Sequence, residues 1–345
     1  MAFEEPRDEE QAENEDEQPQ ITAEEYLALQ KRAIRKRSWW GVAIGGILVV
    51  SHLALFFIAY VLQERLRSEG YEELSIKILF QSIFFIIGLF LLAAGVWGLS
   101  YARRLTLDDI LPSPEAVRFL QAGQGIKPYY SYILLVCIGV VFLAQFAGNF
   151  DDSVYLAGLA KDPFFRKHEY WRILTSAAMH GGLLHIYFNG QALYGIGSLI
   201  EYVSNRAHLA IVFLLAAIGG GLFSVYLGPF DEPSVGASGG ILGLIGYLAV
   251  YGYRRKKHLP PDFLKSMLIN IAFIAGIGIA GYQFIDNFAH LGGLLTGAAY
   301  GFIQVPRDEK ADPRSAGPVV NVAGILSLII FGAGAGFAIL KLIGK

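Results

Sequence analysis

The sequence predicts an all-α, polytopic membrane protein, and three observations carry that fold class. Hydrophobic residues make up 54% of the chain and charged residues only 17%. Mean hydropathy is +0.45. The apolar residues gather in blocks of about twenty, the length that crosses a hydrocarbon core of roughly 30 Å as a helix. Net charge is −2, which says little about partners because the charges are segregated by position. Cys137, the sole cysteine, lies inside an apolar block, so no internal disulfide is possible and cysteine usage does not identify the compartment.

Residues 1 to about 20 are crowded with carboxylates from Glu4 to Glu17 and hold almost no large apolar residue. Such a segment cannot bury enough surface to offset its ordering entropy and is expected to be a disordered tail. Thr22 and Glu25 have capping-box spacing, which predicts a short helix from Ala23. The acidic start lacks the basic and then apolar pattern of a cleaved secretory signal, so none is expected. Lys31, Arg32, Arg35, Lys36 and Arg37 then lead into a first span, Ser38 to Leu62, edged by Trp39 and Trp40 as interfacial aromatics.

Further spans are expected at Ile78 to Ser100, Tyr129 to Gly148, Met179 to Val203, His208 to Leu227, Gly236 to Tyr253, Phe263 to Gly281, Asn287 to Val305 and Val319 to Leu340. The last has the softest boundary because Gly332, Gly334 and Gly336 weaken a helix. A cytoplasmic amino terminus puts Arg103, Arg104, Arg254 to Lys257, Arg307, Lys310 and Arg314 inside, as the positive-inside rule asks. Arg65, Arg67 and Lys77 run against it, though Glu64, Glu69, Glu72 and Glu73 accompany them. The outer loop from Asn149 to Ala178 is too long to be a mere connector.

Polar residues inside these spans are costly and therefore informative. Gly236-Ala237-Ser238-Gly239 heads a long apolar helix, where unpaired amides and a positive dipole would meet an oxyanion. Ser238 is a candidate nucleophile, although Gly/Ser-rich segments are also common wherever membrane helices pack closely. His185 and Asn189 are four apart and share a helix face, whereas His180 is rotated off it. His290 opens another span. At about 1.5 Å rise per residue, Ser238, His185 and His290 all fall within roughly 10 to 15 Å of the outer surface. Gly239 with Gly243, and Gly293 with Gly297, are small-xxx-small pairs that would let two helices approach backbone to backbone and bring Ser238 near His290.

A neutral histidine can take a serine proton as it attacks a carbonyl, and side-chain donors from His185 and Asn189 could hold the developing oxyanion. Each donor would contribute about 3 kcal/mol. Any one of these histidines could instead be a helix-to-helix hydrogen-bond partner. Asp286 is favoured as a helix N-cap over a third triad member. His180, His185 and His290 make a poor metal site, since they share no face and no cysteine or carboxylate joins them.

With these residues assembled, the chain resembles the rhomboid family of intramembrane serine proteases. The matching pieces are Glu169-Tyr170-Trp171-Arg172 with Thr175, the run His180, His185 and Asn189, the Gly236-Ala237-Ser238-Gly239 motif, and Ala289-His290 followed by Gly292, Gly293 and Gly297. The resemblance implies Ser238 as nucleophile and His290 as general base and acid. It implies an oxyanion hole of His185, Asn189 and the Ser238 amide, with His180, Trp171, Arg172, Gly236 and Gly239 in support. A mobile cap would lie in Gly276 to Asp286, and substrate would pass between the fourth and seventh spans. Where the family often has an aromatic residue one turn after the serine, this chain has Leu242.

The implied organisation is an acidic cytoplasmic tail ending in the basic cluster (1–37), a two-span leader (38–100), a cytoplasmic linker (101–128), a six-span rhomboid-like core (129–305), and a C-terminal linker with one additional span (306–345). The reading is an endopeptidase that cuts single-span membrane protein substrates near the outer face, in contact with the lipid bilayer, with no cofactor, metal or nucleic acid. The alternative is a non-proteolytic membrane-helix binding protein of the same fold. A proton-coupled transporter would want acidic residues at mid-membrane depth, and only Glu201, near an inner end, approaches that. The acidic start favours the inner membrane of a bacterium, with the site towards the outer face.

Overall fold

The structure, a computed structural model, describes residues 22–62, 82–110, 119, 121, 123, 125–229, 233–308, 311, 312 and 314–344. The acidic tail, the loop with Arg65, Arg67 and Lys77, the start of the second span at 78–81, and Lys310 lie outside the described residues. The chain divides into two units, Met1–Pro112 and Ser113–Lys345.

In the first unit, α1 (Ala23–Val61) is followed by α2 (Ile83–Arg104) and the single turn α3 (Leu107–Ile110). The capping box forms: the Glu25 amide donates to Thr22 Oγ1 at 3.2 Å, and the Thr22 amide donates to the Glu25 carboxylate at 2.9 Å. This cap opens one helix of 39 residues, so the expected short helix and first span are continuous. No glycine or proline interrupts residues 23–40, and the basic cluster is made of good helix formers. α1 and α2 pack backbone to backbone. A methyl group on Gly45 would sit 2.6 Å from the Gly88 carbonyl oxygen, and one on Gly95 would sit 2.7 Å from the Ser38 carbonyl. Larger residues there would force the helices apart.

The second unit contains α4 (Tyr129–Ala147), three short helices, α5 (Phe150–Ala157), α6 (Lys161–Arg166) and α7 (Arg172–Ser176), then α8 (Leu183–Val203), α9 (Arg206–Leu227), α10 (Ser238–Arg254), α11 (Phe263–Ala280), α12 (Asn287–Gln304) and α13 (Pro318–Ile343). The long loop 149–178 is thus a folded element. α9 is the central helix, with Leu209, Val212, Phe213 and Ala216 buried as it packs on α10, α12 and α13. α13 runs unbroken through Gly332, Gly334 and Gly336 to Ile343. Packing explains one of these glycines: a methyl on Gly334 would stand 3.0 Å from Leu174 Cβ.

Glu201, the acidic residue that a transporter would need, instead caps α4. Its carboxylate accepts from the Ser131 amide and the Ser131 hydroxyl, each at 2.8 Å. Among the described residues, six helices are long and apolar enough to cross a membrane: α1, α2, α4, α9, α11 and α13. The three other expected spans, α8, α10 and α12, hold the candidate catalytic residues. α10 has only 17 residues, and α8 and α12 carry His185, Asn189, Glu201, His290 and Thr296.

Candidate active site

The head of α10 is held by the folded loop 149–178. Arg172, only 6% exposed, donates through Nε to the Glu169 carboxylate at 2.6 Å. Its Nη1 donates to the carbonyls of Tyr155 at 3.0 Å and Gly158 at 2.6 Å. The Thr175 hydroxyl donates to the Ala157 carbonyl at 2.6 Å. A buried guanidinium needs this many acceptors, and in return it closes the loop from three sides. The loop then grips the segment before Ser238. Leu159 and Ser234 exchange both backbone hydrogen bonds, at 2.9 and 3.0 Å, and the Gly236 amide donates to the Ser176 carbonyl at 2.9 Å.

Gly236 has φ +128°, a conformation that side-chain-bearing residues rarely adopt. Space is equally restrictive, since a methyl there would lie 2.8 Å from His185 Cε1 and Nε2. Both facts require glycine at the position two residues before the serine.

His185 accepts from the Gly181 amide through Nδ1 at 3.2 Å. A nitrogen that accepts carries no proton in the neutral ring, so Nε2 bears the hydrogen and is a donor facing Gly236. Asn189 lies one turn further along α8, buried, with Nδ2 3.6 Å from the same point at Gly236 and, among the described residues, no partner for that amide nitrogen. Two side-chain donors therefore converge beside the first turn of α10, whose own amides are unpaired by the geometry of a helix start. The Asn189 amide nitrogen, buried with no partner among the described residues, costs stability unless an acceptor arrives.

His180 is fully buried and its ring stands edge-on to His185, with centroids 5.1 Å apart. Among the described residues, its ring nitrogens meet no hydrogen-bond partner. Its backbone is held on both sides by Gln145 of α4. The His180 amide donates to Gln145 Oε1 at 2.9 Å, and Gln145 Nε2 donates to the His180 carbonyl at 3.1 Å and to Ser153 Oγ at 2.9 Å. Gln145 was not among the residues singled out from sequence. Its signal was there, an amide inside a predominantly apolar span, and the structure buries it completely.

α10 meets α12 through bare backbone. A methyl on Gly293 would run into the Gly239 carbonyl, and one on Gly297 would run into the Gly243 carbonyl. These are the four glycines of the two small-xxx-small pairs read from sequence, Gly239 with Gly243 on α10 and Gly293 with Gly297 on α12, each now facing a glycine of the other helix. A methyl on Gly239 would lie 3.3 Å from the Ala289 carbonyl, so Ser238 and His290, the neighbours of Gly239 and Ala289, stand at one level on adjoining helices. Both are half-buried. Among the described residues, neither side chain is hydrogen-bonded to the other. Asp286 is the N-cap of α12, its Oδ1 accepting from the Ala289 amide at 2.9 Å. Asn287 Nδ2 donates to the Gly278 carbonyl of α11 at 2.8 Å.

Residues 167–307 match the family model described as the Rhomboid domain. Over these residues the chain carries a Rhomboid domain. All the candidate site residues fall inside that match, whereas α1, α2 and α13 fall outside it. The chain is 29% identical over 236 residues to the Rhomboid protease GluP of Bacillus subtilis, a stretch covering 67% of this chain and 46% of the relative. It is 34% identical over 142 residues to the RHOMBOID-like protein 6, mitochondrial, of Arabidopsis thaliana, covering 39% of this chain and 44% of that protein. A third relative, the Inactive RHOMBOID-like protein 8 of the same plant, is 31% identical over 143 residues, covering 41% of this chain and 40% of the relative. The chain thus spans less than half the length of these relatives. With a Rhomboid domain and several apolar helices, it is an integral, multi-pass membrane protein.

Proposed function

We propose that the chain is an intramembrane serine endopeptidase that cleaves transmembrane-helix substrates near the outer membrane face. The observation that carries this reading is the convergence of the His185 and Asn189 donors on Gly236, beside Ser238. Ser238 Oγ attacks the scissile carbonyl while His290 takes its proton, and His290 then returns that proton to the leaving amine. The negative oxygen formed on attack is met by His185 Nε2–H, the Asn189 amide group and the Ser238 backbone N–H. The same constellation acts a second time as water, deprotonated by His290, releases the acyl group from Ser238.

Substrates are single-span membrane proteins reached from within the bilayer. α8 and α11 both pack on α10 but make little contact with each other, which supports lateral access between them. The amino terminus lies in the cytoplasm and the site opens to the outer side of the membrane, as the distribution of lysine and arginine suggests.

The relative named inactive gives a second reading, a non-proteolytic binder of membrane helices. Cleavage of a model single-span substrate in liposomes separates the two. Wild type cuts under the protease reading, and Ser238→Ala and His290→Ala each lose at least about 10³-fold in rate. A folded wild-type protein that binds the substrate helix and leaves it intact favours the binder.

A further inference from the structure

α13 lies beyond the residues matched by the Rhomboid model, yet it packs on the loop that fixes the head of α10. Phe337 meets Trp171 edge to face with ring centroids 5.1 Å apart. Lys341, one turn further on, holds its ammonium 5.3 Å from the Trp171 centroid. The Arg172 guanidinium lies 4.8 Å from the same centroid, so the indole is shared between a cation of its own loop and one from α13. Below it, Leu174 fills the space left by Gly334.

Trp171 and Leu174 belong to the short turn that ends at Ser176, and the Ser176 carbonyl accepts from the Gly236 amide. Ser238 stands only two positions beyond Gly236. A shift of this turn is therefore passed through one hydrogen bond to the backbone that aims the serine and its amide.

We propose that α13 is a positioning element for Ser238, acting through the hold of Phe337 and Lys341 on Trp171. The proposal rests on Ser238 being the nucleophile. Phe337 and Lys341 touch no reacting atom; their effect passes through the loop. A misplacement of the order of 1 Å transmitted this way is enough to slow the serine about tenfold or more.

The test is the rate of fluorophosphonate labelling at Ser238 in the full chain, with substrate KM, kcat and thermal midpoint measured beside it. Phe337→Ala and Lys341→Ala are expected to slow labelling and lower kcat by about tenfold, with KM and the midpoint little changed. Phe337→Tyr and Lys341→Arg, which keep the ring and the cation, recover most of the rate, and Ile329→Ala, on an exposed stretch of the same helix, has no effect. Wild-type rates in both alanine variants overturn the proposal, as does slowing that only follows a falling midpoint and is not rescued by tyrosine or arginine. A folded wild type that takes no label at Ser238 overturns the nucleophile assignment, and this proposal with it, whereas a labelled wild type with unaffected variants overturns this proposal alone.

Discussion

Gly236 lies against the edge of the His185 ring, so close that a methyl group on the glycine would stand 2.8 Å from both Cε1 and Nε2. The contact joins two elements distant in sequence, the segment before α10 and the first turn of α8, at the point where the candidate oxyanion donors face the candidate nucleophile. It also sets the first prediction. Gly236→Ala must both leave its left-handed backbone conformation, at a cost of about 1 to 3 kcal/mol, and push His185 aside. Activity is expected to fall by at least about 10²-fold, measured as kcat on a single-span substrate, while α-helix content by circular dichroism stays at wild-type level.

Gln145 is predicted to be a stability residue for the site. Gln145→Leu leaves the His180 amide and carbonyl without their partner in a buried setting, a loss of about 2 to 3 kcal/mol. Thermal unfolding in detergent should show a clearly lowered midpoint. An unchanged midpoint would mean that the His180 backbone finds other partners.

Arg172→Lys keeps the charge but surrenders the fork that reaches Glu169, Tyr155 and Gly158 together. The variant is expected to lose about 2 kcal/mol or more and to become sensitive to proteolysis within 149–178, read by limited digestion and mass spectrometry. A digestion pattern like that of wild type would contradict the role given to the guanidinium.

Gly297→Leu drives a side chain into the Gly243 carbonyl and so separates α10 from α12. Because these helices carry Ser238 and His290, the substitution should abolish cleavage and destabilise the protein together. Gly332→Leu, on α13, where an added methyl meets nothing within 4 Å, should do neither.

The fold was legible wherever one helix decides its own boundaries. Apolar block length predicted the long helices of the second unit to within about four residues but missed that α1 runs unbroken from Ala23, and the Thr22–Glu25 spacing predicted the cap that forms. The Gly239, Gly243, Gly293 and Gly297 pattern was readable because close backbone approach leaves only one residue type. The features that sequence left obscure depend on partners far along the chain. Of the three short helices in the loop 149–178, α5 and α7 are tied together by Arg172 and Thr175 bonds to carbonyls 14 to 18 residues away. Gly334 looked like a weakness in α13 until Leu174 was seen to fill it, and Gln145 bonds a residue 35 positions on. At the candidate site, sequence indicated which side chains share a face and a depth. It could not indicate that the Gly181 amide sets the His185 tautomer.

The measurement that bears most directly on the central claim is the mapping, by mass spectrometry, of the residue that a fluorophosphonate modifies in wild type, Ser238→Ala and His290→Ala. The account predicts a single adduct on Ser238 in wild type, none in Ser238→Ala, and labelling slowed by at least about 10²-fold in His290→Ala. An adduct on another serine, or labelling that is indifferent to His290 in a folded protein, would contradict it.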